Sequence, residues 1–180
     1  YRVNDRVSQY LLKNVIYNNP SNYSDEDILF RIILFKLFNK EDTWKYLIEC
    51  LGDVKLKDFS WDRYNKILLD RKISGEKLYN DAYISCATKA YGYDLKHQNH
   101  LALLEEMFLK DKIQEKIINA NNMEEIFNIL KSYPLIGDFM AYQLATDINY
   151  SNVVNFEEDT FTIAGPGAKR GIRKCFSDLE

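Results

Sequence analysis

An all-α fold is predicted by three observations. Apolar residues recur at helical spacing through most of the 180 residues. No segment alternates apolar and polar residues between hairpin turns as strands do, and Val153-Val154 is too short for one. Breakers at Asn18-Asn19-Pro20-Ser21-Asn22, Gly52, Gly75 and Gly92 punctuate the chain. About eight to ten helices fit that length with ordinary loops.

Each element has its own signal. Val3, Val7, Tyr10, Leu11 and Val15 predict a helix over residues 3–17. Ser24 followed by Asp27 has the form of a capping box, with Asp in place of the usual Glu. The helix it opens, Asp27 to Phe38, is apolar on nearly every side and is expected at the centre. Arg31 lies inside that run, and a buried arginine needs a carboxylate or phosphate partner. Its ordinary reading is a structural pair with an internal acid; its functional reading is a cation facing a site.

Helices follow over 41–51 and from Ser60 to Ile73. An amphipathic helix is expected from Leu78 to Tyr91, with Ala82, Ala87 and Ala90 for close packing and Gly92 as its C-cap. His97 and His100 stand at a spacing that can hold a metal, but no third ligand is near. A solvated helix N-terminus is expected there, opening a helix over 98–119, and another helix covers 123–132. One helical domain over residues 1–180 is expected, without repeats or linkers.

Composition narrows the function classes. A hydrophobic share of 46% excludes a disordered chain. The net charge of −3 argues against a generally basic nucleic-acid binder, so any such contact needs a local patch. Lys169, Arg170, Arg173 and Lys174 form the strongest one, with no acid until Asp178. The 13 tyrosines and 10 phenylalanines read first as core and rim, although tyrosines also suit base-stacking surfaces. The three cysteines, Cys50, Cys86 and Cys175, form no metal or disulfide pattern, and reduced thiols in a cytoplasmic setting are expected. No run of about 18 apolar residues exists, so no membrane span is expected. No metal or cofactor is predicted.

Chemistry concentrates in residues 130–174, with a hairpin at 130–150. Pro134 stops one helix, Gly137 permits a positive φ, and a second helix starts at once. Its first N–H groups and dipole can hold a phosphate. Ala141 and Ala145 would let the helices approach closely. Glu157, Glu158 and Asp159 lie 20 to 22 residues after Gly137. Gly165-Pro166-Gly167-Ala168 lacks the Gly-Lys-Ser/Thr ending of a phosphate-binding Walker loop. It reads either as a nest of N–H groups beside Lys169 and Arg170 or as a rigid turn. Tyr142 and Gln143 could line a base pocket or simply pack.

Pro134 to Gln143, Thr146 to Ser151 and Gly165 to Phe176, with Phe30 to Asn39 and Thr43-Trp44, resemble one group of helix-hairpin-helix DNA-glycosylase-like proteins. That group comprises the helical domain of 5-hydroxymethyluracil DNA kinases and the related α-glutamyl/putrescinyl-thymine pyrophosphorylases. The likeness covers about residues 28–176. Two positions depart from the glycosylase hairpin: Leu135 stands for its first glycine, and Asp138 puts a negative charge at the helix start. Members usually run on past the final Cys-Phe, so a truncated domain is expected.

The resemblance implies a DNA partner, a kinase or other base-modifying partner, and chemistry on a 5-substituted uracil flipped from the helix. It points to Glu158 as the acid nearest the base, with Asp159 second. It adds Arg31, Tyr142, Gln143 and Asp147 as substrate-facing residues. Gly137, Gly165, Gly167, Lys169, Arg170 and Arg173 would hold the backbone. Two alternatives stand beside base modification: a non-catalytic DNA-binding module of a kinase assembly, and a glycosylase excising a hypermodified base. Whether the chain is itself an enzyme stays open.

Overall fold

The computed structural model describes residues 2–81 and 87–176. Every regular element among them is helical: α1 (Arg6–Tyr10), continued by a π-helical turn Leu11–Ile16, α2 (Asp25–Phe38), α3 (Glu41–Leu51), α4 (Trp61–Ile73), α5 (Lys96–Leu104), continued by a π-helical turn Glu105–Lys110, α6 (Ile113–Ile118), α7 (Met123–Lys131), α8 (Asp138–Asn149) and α9 (Pro166–Cys175), with short 3-10 turns between.

α2 is the axis of the fold. Its capping box forms, Ser24 Oγ accepting from Asp27 N and Asp27 Oδ2 accepting from Ser24 N. Every residue from Ile28 to Phe38 is buried. The π turn after α1, the 3-10 turn Leu56–Asp58, α6 and α8 pack around it. α4 lies on α5, and α7 pairs with α8. One apolar cluster runs from Leu11 to Val154. No helix among the described residues is long and apolar enough to cross a membrane.

Three expectations need correction. The helix expected from Leu78 to Tyr91 is absent where it is described. Thr43 Oγ1 donates to Leu78 O at 2.8 Å, and Asn80 N donates to Phe38 O at 3.1 Å. Tertiary partners thus take backbone groups that a helix would use internally. Residues 87–95 form turns, with Gly92 at φ +80 and Tyr91 N donating to Asn99 Oδ1. Residues 82–86 of that segment, with Ala82 and Cys86, lie outside the described residues. The helix expected over 98–119 starts earlier and breaks at Asp111-Lys112, where Lys112 is left-handed at φ +49.

The histidines are the third correction. His97 and His100 sit in the first turns of α5, but both are buried. His97 Nε2 pairs with Asn65 Oδ1 at 3.0 Å, and His100 Nδ1 with the Tyr79 hydroxyl at 3.0 Å. The sequence shows the polar flanks and hides the tertiary partners. No cluster of metal-ligating residues occurs among the described residues. Burial, with Lys72 nearby, pushes the His97 imidazole down to about 4. Its unfolded form gains a proton near 6.5, so stability is lost as pH falls from there toward 4, by up to about 3 kcal/mol. Urea unfolding at about pH 7 and about pH 4.5 should show that loss, and His97→Gln should remove most of it.

Candidate nucleic-acid interface

The hairpin is a six-residue connection, 132–137, between α7 and α8. Tyr133 and Ile136 turn inward and are buried, which anchors the bend in the core. The positive φ expected at Gly137 is found at Leu135 instead, at +69. Leu135 thus adopts the conformation that a glycine would take there, at a cost of about 1–2 kcal/mol for an L-residue. Gly137 is extended (φ −84, ψ 175) and N-caps α8, without a side-chain cap. Ala141 and Ala145 are fully buried, as close packing requires.

Asp138 does not stand free at the helix start. Its Oδ1 pairs with Lys131 Nζ at 2.8 Å across the hairpin. Lys131 holds its carboxyl below the usual range, and Lys169 adds a smaller pull the same way. Lys169 belongs to α9, so the second turn lies beside the first. Gly165 supports this: a methyl at its Cα would touch the Phe139 ring at 3.5 and 3.6 Å. Gly165 N-caps α9, again without a side-chain cap. Two helix N-termini with bare N–H groups are therefore neighbours, each able to attract an anion. Around Gly137 and Gly167 the space is open, so neither glycine is required by packing.

α9 carries Lys169, Arg170, Arg173 and Lys174, all exposed and in no ion pair among the described residues. The net charge is negative overall, yet this corner is positive. Ile172 and Phe176 are also exposed on it.

The acidic cluster sits on an exposed 3-10 turn, Glu158–Thr160. Thr160 Oγ1 donates to Glu157 O, tightening the turn. The Glu158 and Asp159 carboxylates make no hydrogen bond or ion pair among the described residues. Phe161 anchors the turn by packing on Phe127 and Tyr142, with ring centroids 5.4 and 6.1 Å away. Tyr142 and Gln143 are half-buried. Asn149 fixes the entry to this segment, donating to Phe156 O at 2.9 Å and accepting from Phe156 N at 2.8 Å.

Residues 1–180 match the family described as 5-hmdU DNA kinase, helical domain. The chain belongs to that family. A similar protein is the 5-hmdU DNA kinase of Bacillus phage SP10, 28% identical over 191 residues that cover 97% of this chain. The helical domain spans about 29% of that relative's length. No solved structure matches it.

Two candidates of the helical domain lie deeper than the turns. Asp147 is fully buried, its Oδ2 at 3.1 Å from Lys36 Nζ on α2. Arg31 is 1% exposed. It donates from Nε to Val15 O and from Nη1 to Val54 O and Asp53 Oδ1, under the Tyr23 ring. Arg31 therefore has the acid partner its ordinary reading requires, although Asp53 is half-exposed rather than internal, and Arg31 also edges a cavity between the π turn, α2 and α3.

Sequence reasoning passed over Lys36. The argument applied to Arg31, a cation inside an apolar run, holds for it unchanged. It also left Asn149 without a role, because a clamp onto Phe156 depends on how the chain turns back. Removing one member of a buried ion pair strands the other charge. Asp147→Asn should destabilise by about 3–5 kcal/mol in urea unfolding, and Lys36→Met combined with Asp147→Leu by much less. Additive single costs would mean that the pair is not coupled.

Proposed function

We propose that this helical domain holds DNA for an enzyme that modifies 5-hydroxymethyluracil, and that the phosphoryl donor is bound elsewhere in that enzyme. The observation that carries the reading is the apposition of the Gly137 and Gly165 turns beside the cations of α9, which form no ion pair among the described residues. Backbone N–H groups at helix starts contact phosphates without reading sequence, and lysine and arginine add the salt-sensitive attraction. The family name and the phage relative supply the base. The chain lacks a Walker loop, so it is not itself an ordinary P-loop kinase, which supports a donor site elsewhere. We take residues 1–180 to act as one domain of that enzyme, with a kinase segment as its partner.

Gly137, Gly165 and Gly167 are proposed as backbone contacts, with Lys169, Arg170 and Arg173 around them. Lys169→Ala with Arg170→Ala should weaken duplex binding and lower the slope of log K against log salt by about 2. Fluorescence anisotropy over a salt series measures this, and an unchanged slope would remove α9 from the interface.

A catalytic part for Glu158, with Asp159 beside it, is the second reading. It is favoured by carboxylates that form no ion pair among the described residues, on a turn anchored through Phe161 to the hairpin helix. A negative charge there would act on an everted nucleotide, in the manner of a glycosylase, where positive charge develops or a nucleophile needs a base. Tyr142 and Gln143 would then lie nearest the base. In the full enzyme, Glu158→Gln should abolish turnover and leave DNA binding intact; unchanged turnover would reduce the domain to a DNA holder. Mass spectrometry of nucleosides from treated 5-hydroxymethyluracil DNA separates phosphorylated base from released base.

A further inference from the structure

α9 is amphipathic, and both of its sides are open. Every residue from Gly167 to Phe176 is exposed. At about 100° per residue, Ala168, Ile172 and Cys175 fall on one side of the helix, with Gly171 at the edge of that stripe. Lys169, Arg170, Arg173 and Lys174 fall on the opposite side. The cations serve the DNA-holding reading, and the apolar stripe has no part in it. Ile172 is 43% exposed and Phe176, the residue after the helix, 60%.

A surface helix ordinarily turns such a stripe to its own core. In α9 only the start meets the body, where Gly165 approaches the Phe139 ring. A helix of ten residues is marginal in water without packing. Gly171 in its interior weakens it further. Nothing lies within 4 Å of a methyl placed at Gly171, so packing inside the domain does not require glycine there. A glycine beside the stripe instead lets a second element come close.

What covers the stripe follows from area and length. α9 is about 15 Å long, and one side of it falls far short of the roughly 1,200 Å² that stable association of separate molecules buries. A second copy or a free partner protein would hold it weakly. A segment of the same chain needs no such area, because a tether keeps it at high effective concentration. Most of the phage relative's length lies outside the part that this chain matches. We infer that the Ala168–Ile172–Cys175 side of α9, with Phe176, seats in an apolar groove on the part of the enzyme outside residues 1–180. This rests on the reading that the domain works within a longer DNA kinase. α9 then joins two surfaces: its cations lie on DNA, and its other side fixes the phosphoryl-transferring part beside the same strand.

Cys175 lies on the stripe and reports its cover, and Cys50 on α3, also exposed, is the reference. The test is maleimide labelling of the intact enzyme without DNA or lipid, read by peptide mass spectrometry. Cys175 should react at least about tenfold more slowly than Cys50 at every enzyme concentration. Equal rates overturn the inference. Protection lost on dilution assigns the stripe to a second copy, and protection that appears only with vesicles of anionic lipid assigns it to a membrane; either overturns it. Ile172→Asn should raise the Cys175 rate about tenfold and leave the Cys50 rate unchanged. Protection unmoved by that change overturns the inference too. The salt slope of Ile172→Asn on duplex DNA should match the parent's, because the cations face the other way; a lowered slope would place the stripe on DNA instead. Lys169→Ala with Arg170→Ala should do the reverse, lowering the slope and leaving Cys175 protected. Absent protection in the parent therefore overturns only the docked stripe, and an unchanged slope in the cation variant only the DNA-holding side.

Discussion

A cation buried in an apolar helix must find its counter-charge in another part of the chain. α2 holds two such cations. Arg31 meets Asp53 in the connection after α3, and Lys36 meets Asp147 on α8. They are five residues apart, about 140° around the helix, so they demand partners on different sides. Wrong packings of the same apolar surfaces would leave one or both charges stranded, at a cost of several kcal/mol each. Apolar contact is tolerant of register; a buried cation that needs a partner is not. These two pairs select how α3 and α8 sit against the central helix.

α8 passes that constraint to the surface. Its C-terminal half is set by Asp147, and its N-terminus carries the Gly137 turn. Asn149 at the far end grips Phe156 and turns the chain back. Phe161 then lies on Tyr142, and Gly165 reaches the Phe139 ring. The segment between α8 and α9 therefore returns along the helix it left. This return brings two helix starts, far apart in sequence, to one corner of the molecule. Lys131 neutralises Asp138 within the hairpin, so the charge that would repel a phosphate is matched and the cations of α9 are left over.

The corner formed by the turns and α9 is open and cationic, as a backbone contact needs to be. A net charge of −3 does not reveal this corner, because it sums acids and bases over the whole chain. Overall charge reports solubility and long-range attraction; binding at a corner depends on the few groups within a Debye length, about 8–10 Å.

How much was legible follows from the range of each interaction. Signals contained in one turn of chain were readable: the Ser24 capping box, the central burial of Asp27 to Phe38, the helices over 41–51 and 61–73, and the all-α class. The need of Arg31 for an acid was readable too, since burial of a charge demands it, although Asp53 could not be named. Local pattern failed where distant groups captured the backbone or side chain. Thr43 and Phe38 hold the 78–80 segment out of a helix, and Asn65 and Tyr79 make the two histidines interior. The sequence alone therefore determined which segments could be helical, which one had to be central, and which cations lay near the C-terminal turns. Only tertiary structure decided that Leu135 bears the left-handed turn, that Asp147 serves Lys36, that the two turns meet, and that a cavity opens beside Arg31. Each of these depends on groups brought together from separate helices, and spacing along the chain carries no record of that.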